Sequence, residues 1–243
     1  MKYLLLALAL LASTPAYAFH TDETFEENAA AGGASGIYYT GSPRSRAWDC
    51  TACHLDPPGA VSFTLSASPR TLFTEMRYTP GETYQITVGF LNESKGLEAS
   101  ANYNSFALEI LDPETMPVGG FFGFDEAIVS TIGNGGVLFA IGQKNLNLIE
   151  WRFSWQAPMD GPDYLDFYLA GVDGDGASDA MVASSNPGND DVVTGALRIA
   201  RDGATPPPPI PRTGVSGSGC TTVANDASLL WLLLLLPLVR RIR

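Results

Sequence analysis

The sequence predicts an all-β protein built from two packed antiparallel sheets. From residue 61 onward, Gly, Pro, Asn or Asp interrupts the chain roughly every 8–12 residues, with β-branched and aromatic residues between. Within these intervals apolar and polar residues alternate, which is the period of a half-buried strand rather than of a helix. Short alternating segments and regular turn signals together favour a β-sandwich.

Four segments show the alternation most clearly: residues 82–91, 147–157, 164–172 and 192–200. In the first, which follows the turn Tyr78–Gly81, one predicted face carries Tyr84, Ile86 and Val88. In the second, one face carries Ile149, Trp151, Phe153 and Trp155. These aromatic residues, with Phe167 and Tyr168, could form a carbohydrate-stacking face. At strand spacing we expect them in the core.

The N-terminus has the layout of a secretory signal peptide. Lys2 precedes an apolar run from Leu4 to Ala12, and Ala16-Tyr17-Ala18 is an A-x-A cleavage site. The run is too short for a comfortable membrane span. We therefore predict residues 1–18 to be a signal peptide, cleaved after Ala18, and the protein to be exported.

The C-terminus indicates a tether. Residues 203–219 form a linker rich in Pro, then in Gly and Ser, and residues 220–243 hold Cys220, the apolar run Leu229–Val239 and terminal arginines. This tail resembles the MYXO-CTERM type of sorting signal. The resemblance implies that the chain is processed and anchored at Cys220, by lipidation of the cysteine, by cleavage beside it, or by both. The alternative is a plain, short membrane anchor. Either tail leaves the protein tethered at the cell surface or outer membrane.

The charge excludes some partners. The chain has a formal net charge of −12, and removal of both ends would leave 10 basic and 25 acidic residues, hence −15. Such a surface argues against nucleic acid as a partner. No P-loop, G-x-G-x-x-G or G-x-S-x-G occurs, and no carboxylate stands with a His or Ser in an interpretable motif. The sequence thus predicts no enzymatic activity.

Residues 19–60 contain the motif Cys50-Thr51-Ala52-Cys53-His54. Two thiols at this spacing, with an imidazole directly after the second, are the requirements for covalent haem c attachment. The segment Leu55–Gly59 predicts that the motif lies in an ordered loop rather than in a helix. His20 is the favoured sixth ligand, since a methionine in a strand (Met76, Met116, Met159 or Met181) is more often core.

Other interpretations of the motif stay open. Residues 19–60 cannot supply the helices that enclose haem in a cytochrome c, so a haem would have to contact the sandwich or a partner. Export also permits a Cys50–Cys53 disulfide, which would close a very short loop and stabilise little. A metal site lacks a convincing fourth ligand.

The acidic segment 171–181 offers a second candidate site. Asp173, Asp175 and Asp179 are spaced like the start of a calcium-binding loop, but the twelfth position holds Ser184 where an EF-hand has glutamate. The favoured interpretation is a hairpin loop in which Asp and Gly satisfy turn geometry. Calcium is the alternative, with Asp190 and Asp191 as further oxygen donors.

The stretches YTPGETYQITV and FSWQAPMDGPDYLDFYLAGVDGDGASD resemble a pattern of reelin-like domains and of bacterial "choice-of-anchor" V surface proteins. The resemblance covers about residues 45–200 and implies an immunoglobulin-like sandwich over residues 61–202, without an established enzymatic activity. Several such bacterial proteins also carry C-x-x-C-H upstream of the first strand. Two functions follow as expectations: electron transfer by a monohaem surface protein, with an unidentified redox partner, or a non-catalytic adhesive or structural module.

Overall fold

The computed structural model describes residues 25–28, 34–52, 54, 60–97, 103–140, 147–175 and 190–210. In these residues the chain forms two β-sheets packed face to face, which confirms the predicted all-β sandwich. A helix long and apolar enough to cross a membrane is absent from this part of the chain.

The strands, in chain order, are β1 (Ser62–Ser68), β2 (Arg77–Tyr78), β3 (Thr83–Leu91), β4 (Ser105–Leu111), β5 (Gly120–Phe122), β6 (Val129–Ile132), β7 (Val137–Ala140), β8 (Glu150–Gln156), β9 (Tyr164–Asp173) and β10 (Asp191–Arg201). A short helix, α1 (Thr71–Thr74), follows β1, and a 3-10 turn spans Cys50–Ala52. One sheet has the strand order β1-β3-β8-β5, and the other has the order β2-β10-β9-β4-β7-β6. Neighbouring strands are antiparallel except for β2 and β10.

The core lies between the two sheets and contains most of the predicted inward residues. The predicted residues of β3 are all buried, and so are Trp151, Phe153 and Trp155 of β8 and Phe167 of β9. The prediction for Ile149 is wrong, because β8 begins only at Glu150 and the Ile149 side chain is 47% exposed. Tyr168 is also buried, but the alternation of β9 places it on the face opposite Phe167.

The six-stranded sheet is covered on its outer face by the N-terminal segment, residues 34–52 together with Phe25. A second apolar cluster joins this segment to β4, β6 and β7, and its members are Phe25, Ala34, Tyr38, Ala107, Ile132, Val137 and Phe139. Phe25 and Phe139 meet edge to face, with ring centroids 4.9 Å apart. The segment that carries the C-x-x-C-H motif is thus packed against the sandwich.

Glu109 of β4 anchors this segment. Its side chain is fully buried and accepts hydrogen bonds from the Thr40, Ser42 and Ser45 hydroxyls at one carboxylate oxygen. The guanidinium of Arg44 donates to the other oxygen at 3.1 Å and lies 4.9 Å from the centre of the Tyr38 ring. A buried carboxylate needs such compensation, because an unpaired one costs several kcal/mol.

The chain leaves β10 at the end of the sheet and turns back along it. Arg198 of β10 forms two hydrogen bonds of 2.7 Å with Asp166 of β9, its cross-strand partner. Nη1 of the same Arg198 donates to the carbonyl oxygen of Pro208 at 2.9 Å. The first part of the predicted linker is therefore held against the six-stranded sheet.

Candidate functional site

Residues Cys50–Ala52 of the C-x-x-C-H motif form a 3-10 turn rather than the predicted loop. Asp49 begins the turn, since its Oδ1 accepts a hydrogen bond from the backbone N–H of Thr51 at 2.9 Å. The backbone N–H of His54 donates to the carbonyl oxygen of Cys50 at 2.9 Å. This bond, which spans four residues, brings Cys50 and His54 to the same side of the turn. Cys53 lies outside the described residues, so the disulfide alternative stays a prediction.

His54 is held by a buried carboxylate that the motif does not contain. Its Nδ1 lies 2.6 Å from Oδ2 of Asp190, and the two side chains are 16% and 3% exposed. Because a carboxylate oxygen accepts, Nδ1 carries a proton in this contact. The contact therefore selects the tautomer in which Nε2 can bind a metal ion.

Asp190 is itself held by the end of the sandwich. Its Oδ1 accepts a hydrogen bond from the backbone N–H of Asp175 at 3.1 Å, so both oxygens have a donor. The next residue, Asp191, accepts from the backbone N–H of Val61 at 3.0 Å. The start of β10 is thus tied to the N-terminal segment by Asp190 and to the start of β1 by Asp191.

A small aromatic cavity lies beside the turn. Its volume is about 60 Å³, and Cys50 and His54 line it together with Phe25, Tyr38, Tyr39, Phe106 and Phe139. Burial, together with a hydrogen bond to Glu26, raises the pKa of Tyr38 to about 12, so the cavity wall carries a neutral phenol. The wall of the cavity beside the turn is therefore mostly aromatic.

The predicted iron ligands that the structure describes do not lie together. His54 lies at the end of the sandwich where β4 and β10 begin and β9 ends. Met76, Met116 and Met159 lie near the opposite end, after α1, after β4 and after β8 respectively. None of these three is placed to reach an iron at His54. His20 lies outside the described residues, so its assignment as sixth ligand stays a prediction.

The side chains of the predicted calcium ligands do not converge on one point in the described residues. Asp173 Oδ2 accepts hydrogen bonds from the backbone N–H groups of Ser94 at 2.7 Å and Lys95 at 3.2 Å, whereas Asp175 contacts Asp190 through its backbone. No three acidic, His or Cys side chains of the described residues form a group that could hold a metal ion. Asp179 lies outside these residues, and calcium binding stays a prediction.

Asp173 is a buried carboxylate with one unpartnered oxygen. It is fully buried, and its Oδ1 has no hydrogen-bond partner among the described residues. Burial raises the pKa of Asp173 from its ordinary 3.8 to about 6, although the N–H groups of Ser94 and Lys95 favour the charged form. The carboxylates of Glu93 and Asp191 raise this pKa further. Asp191 is directly opposite Asp173 in the pairing of β9 and β10.

This raised pKa predicts a loss of stability with rising pH. Between pH 4 and 6 the folded protein keeps a proton on Asp173 that the unfolded chain has released, so the free energy of unfolding falls as the pH rises. The shift corresponds to about 3 kcal/mol at most. In calcium-free buffer we expect Asp173→Asn to match the parent protein near pH 4 and to be more stable above pH 6.5. Urea unfolding of both proteins at pH 4, 5, 6 and 7 measures this, and a difference that does not change with pH would contradict it.

Sequence reasoning found the motif but missed its partners. The contact between His54 and Asp190 spans 136 residues, and those between Glu109 and residues 40–45 span 64 or more. Asp190 was considered only as an oxygen donor to calcium. An acidic residue within an otherwise apolar strand, such as Glu109 in SFALEIL, was the only local signal of a buried partner.

The fold and the docked turn define a class, a two-sheet β-sandwich with a helical Cys-His turn packed on one outer face. No family model matches the sequence, and no curated protein matches it. Among solved structures, it is similar to the reelin-N domain of F-spondin, with 19% identity and a TM-score of 0.36 over 50% of this chain and 79% of that one. The human F-spondin reeler domain has 17% sequence identity and a TM-score of 0.33, over 48% of this chain and 81% of that domain. A chain of a cohesin–dockerin complex from Clostridium thermocellum has 11% sequence identity and a TM-score of 0.29, over 47% of this chain and 87% of that chain.

Proposed function

We propose that the protein is a surface-anchored, monohaem c-type β-sandwich protein that transfers electrons outside the cytoplasm. The observation that carries this proposal is the arrangement of His54. Its Nδ1 is bound by buried Asp190, while the ring and Cys50 border one aromatic cavity. Nε2 of His54 would hold the haem iron, and the thiols of Cys50 and Cys53 would attach the haem covalently.

The described residues supply donors for haem attachment but do not enclose the ring. Cys50 and His54 border a cavity lined by aromatic residues, and its volume of about 60 Å³ is much smaller than the macrocycle. When bound, the haem supplies a one-electron redox centre, and the protein supplies the ligand, its tautomer and the apolar contact.

Export and anchoring belong to the same proposal. The signal peptide of residues 1–18 places Cys50 and Cys53 in the compartment where bacterial haem c is attached, and the Cys220 tail tethers the sandwich. The acidic surface favours a redox partner with a basic docking face, because complementary charge speeds association.

The test is the visible spectrum and intact mass of the protein, secreted without residues 220–243 by a host that attaches haem c. We expect a red protein with one covalent haem per chain. Cys50→Ser/Cys53→Ser should be colourless and keep the same far-ultraviolet circular dichroism. A colourless parent protein, lighter by two hydrogens than its reduced form, would overturn the proposal. It would instead favour a non-catalytic adhesive or structural module with a Cys50–Cys53 disulfide.

A further inference from the structure

We propose that the outer face of β9 and β10 is a recognition surface for a polyproline II helix, and that residues 204–210 of the same chain, named the strap, occupy it. The ligand class is a proline-rich segment, bound through its carbonyl groups and one face of its helix. The contact lies near the end of β10, whereas the Cys-His turn lies at its start. The inference is therefore independent of the proposed function.

The burial of the strap repeats every three residues. Ala204, Pro207 and Ile210 are partly buried, whereas the residues between them are exposed. A polyproline II helix has three residues per turn, so this period places one face of such a helix against the protein. The sequence favours the same conformation, because each proline of the run 206–209 has its φ fixed at about −65°. The strap is thus bound as a regular helix of this type rather than as an irregular loop.

The carbonyl groups of the strap form the polar part of the contact. A polyproline II helix makes no internal hydrogen bonds, so its carbonyl oxygens are available to outside donors. Nη1 of Arg198 donates to the carbonyl oxygen of Pro208 at 2.9 Å. Nη1 of Arg77, on the neighbouring strand β2, donates to the carbonyl oxygen of Ala204 at 3.4 Å. Two arginines of one sheet therefore bind the strap at two points along its backbone.

Arg198 is held in place by groups other than the strap. Its Nε and Nη2 each donate to Asp166 at 2.7 Å, and its guanidinium carbon lies 4.2 Å from the centre of the Tyr164 ring. Asp166 is 6% exposed, so the pair is fixed within the sheet. The direction of the Nη1 donor is therefore set before a ligand arrives, which lowers the entropy cost of binding. Aromatic side chains are the usual surface for a proline-rich helix, and Tyr164 supplies one beside this donor.

The position of the strap in the chain explains why it occupies the surface. Ala204 comes three residues after Arg201, the last residue of β10. A segment attached by so short a connection has an effective concentration on the order of 1 mM, so it excludes a free segment of the same sequence. Loss of the strap's prolines should therefore open the surface to a proline-rich segment added in solution.

The experiment measures the binding of a fluorescent peptide, with the sequence of residues 203–212, by anisotropy. The protein is secreted without residues 220–243, both as the parent and as an open variant that carries Pro206→Gly, Pro207→Ser, Pro208→Gly and Pro209→Ser. We expect the open variant to bind the peptide, and the parent to bind it about tenfold more weakly or less, because the parent's own strap competes. A peptide with the same four substitutions should not bind.

The role of Arg198 is tested in the open variant. Arg198→Lys keeps a positive charge beside Asp166 but loses the planar fork that donates to Asp166 and to a carbonyl group together, so the peptide affinity should fall about tenfold. Arg152→Lys is the matched control. Arg152 lies on the other sheet, and its side chain is 78% exposed, so this variant should bind the peptide as the open variant does. Circular dichroism and urea midpoints establish that the variants are folded.

Each outcome decides for or against the proposal. Binding to the open variant that requires Arg198 and the prolines of the peptide supports it. No binding to the folded open variant would overturn it, and so would equal affinities of the open variant and the parent, because the strap would then not occupy the surface. Equal affinities of the two arginine variants would overturn the role of Arg198. If Arg198→Lys does not fold, the substituted peptide decides, because its binding would show that the surface does not recognise a polyproline II helix.

Discussion

Replacing Glu109 with alanine is expected to release the N-terminal segment from the six-stranded sheet and to destabilise the protein by about 3 kcal/mol. The substitution leaves three donors of the segment, the Arg44 guanidinium and the hydroxyls of Thr40 and Ser42, without their shared acceptor. Since the Cys50 turn belongs to the same segment, its contact with Asp190 should weaken too. Urea unfolding measures the first effect.

The matched control is Glu150→Ala. Glu150 also pairs with an arginine, but its side chain and that of Arg152 are 48% and 78% exposed. Exposed pairs contribute about 1 kcal/mol or less, so this variant should unfold close to the parent. Limited proteolysis adds a local measurement, because a released segment should be cut between residues 34 and 52 while the sandwich stays intact. Equal losses in the two glutamate variants would contradict the anchoring role of Glu109.

Replacing Trp151 with alanine is expected to cost about 4 kcal/mol, the typical loss when a buried tryptophan is truncated. Trp151 is 1% exposed and connects the sheets, with its ring centroid 5.4 Å from that of Phe90 and 5.0 Å from that of Phe106. The cavity left by the indole cannot close without moving β3 or β4. Differential scanning calorimetry should therefore show a large fall in melting temperature.

Trp48→Ala tests whether this effect comes from burial. Trp48 is 52% exposed and contacts Tyr39 edge to face at 6.4 Å. Its removal should cost about 2 kcal/mol, roughly half of the effect at Trp151, because about half of its surface stays in solvent. If both tryptophan variants lose the same stability, the burial of Trp151 is not the reason for its effect.

Two of the predicted strands, β3 and β8, have one face in the core and one face towards solvent. β3 and β8 alternate between core and solvent, so the period of two appears directly in the sequence. β4 does not alternate in the same way, because its inner face packs into the core and its outer face lies under the N-terminal segment. The prediction that Ile149 faces the core failed for another reason, because Ile149 precedes the strand and an apolar residue at that position need not be buried.

The candidate site was predictable only as far as its motif. Cys50, Cys53 and His54 are adjacent in the chain, and their chemistry depends on that spacing. Asp190 contributes through tertiary contact, and acidic residues are common in this chain, so nothing local distinguished it from the others. The 3-10 turn was not predicted, because the segment Leu55–Gly59 favoured a loop, whereas Asp49 begins the turn in the structure.

The direction of β10 separates His54 from the point where the chain leaves the six-stranded sheet. β10 begins beside His54 and, with eleven residues, extends about 34 Å to Arg201. After Arg201 the described chain turns back towards Arg198, which contacts Pro208. The Cys-His turn and the exit of the chain from the sheet therefore lie one strand length apart, and a molecule bound at His54 would not compete for space with that exit.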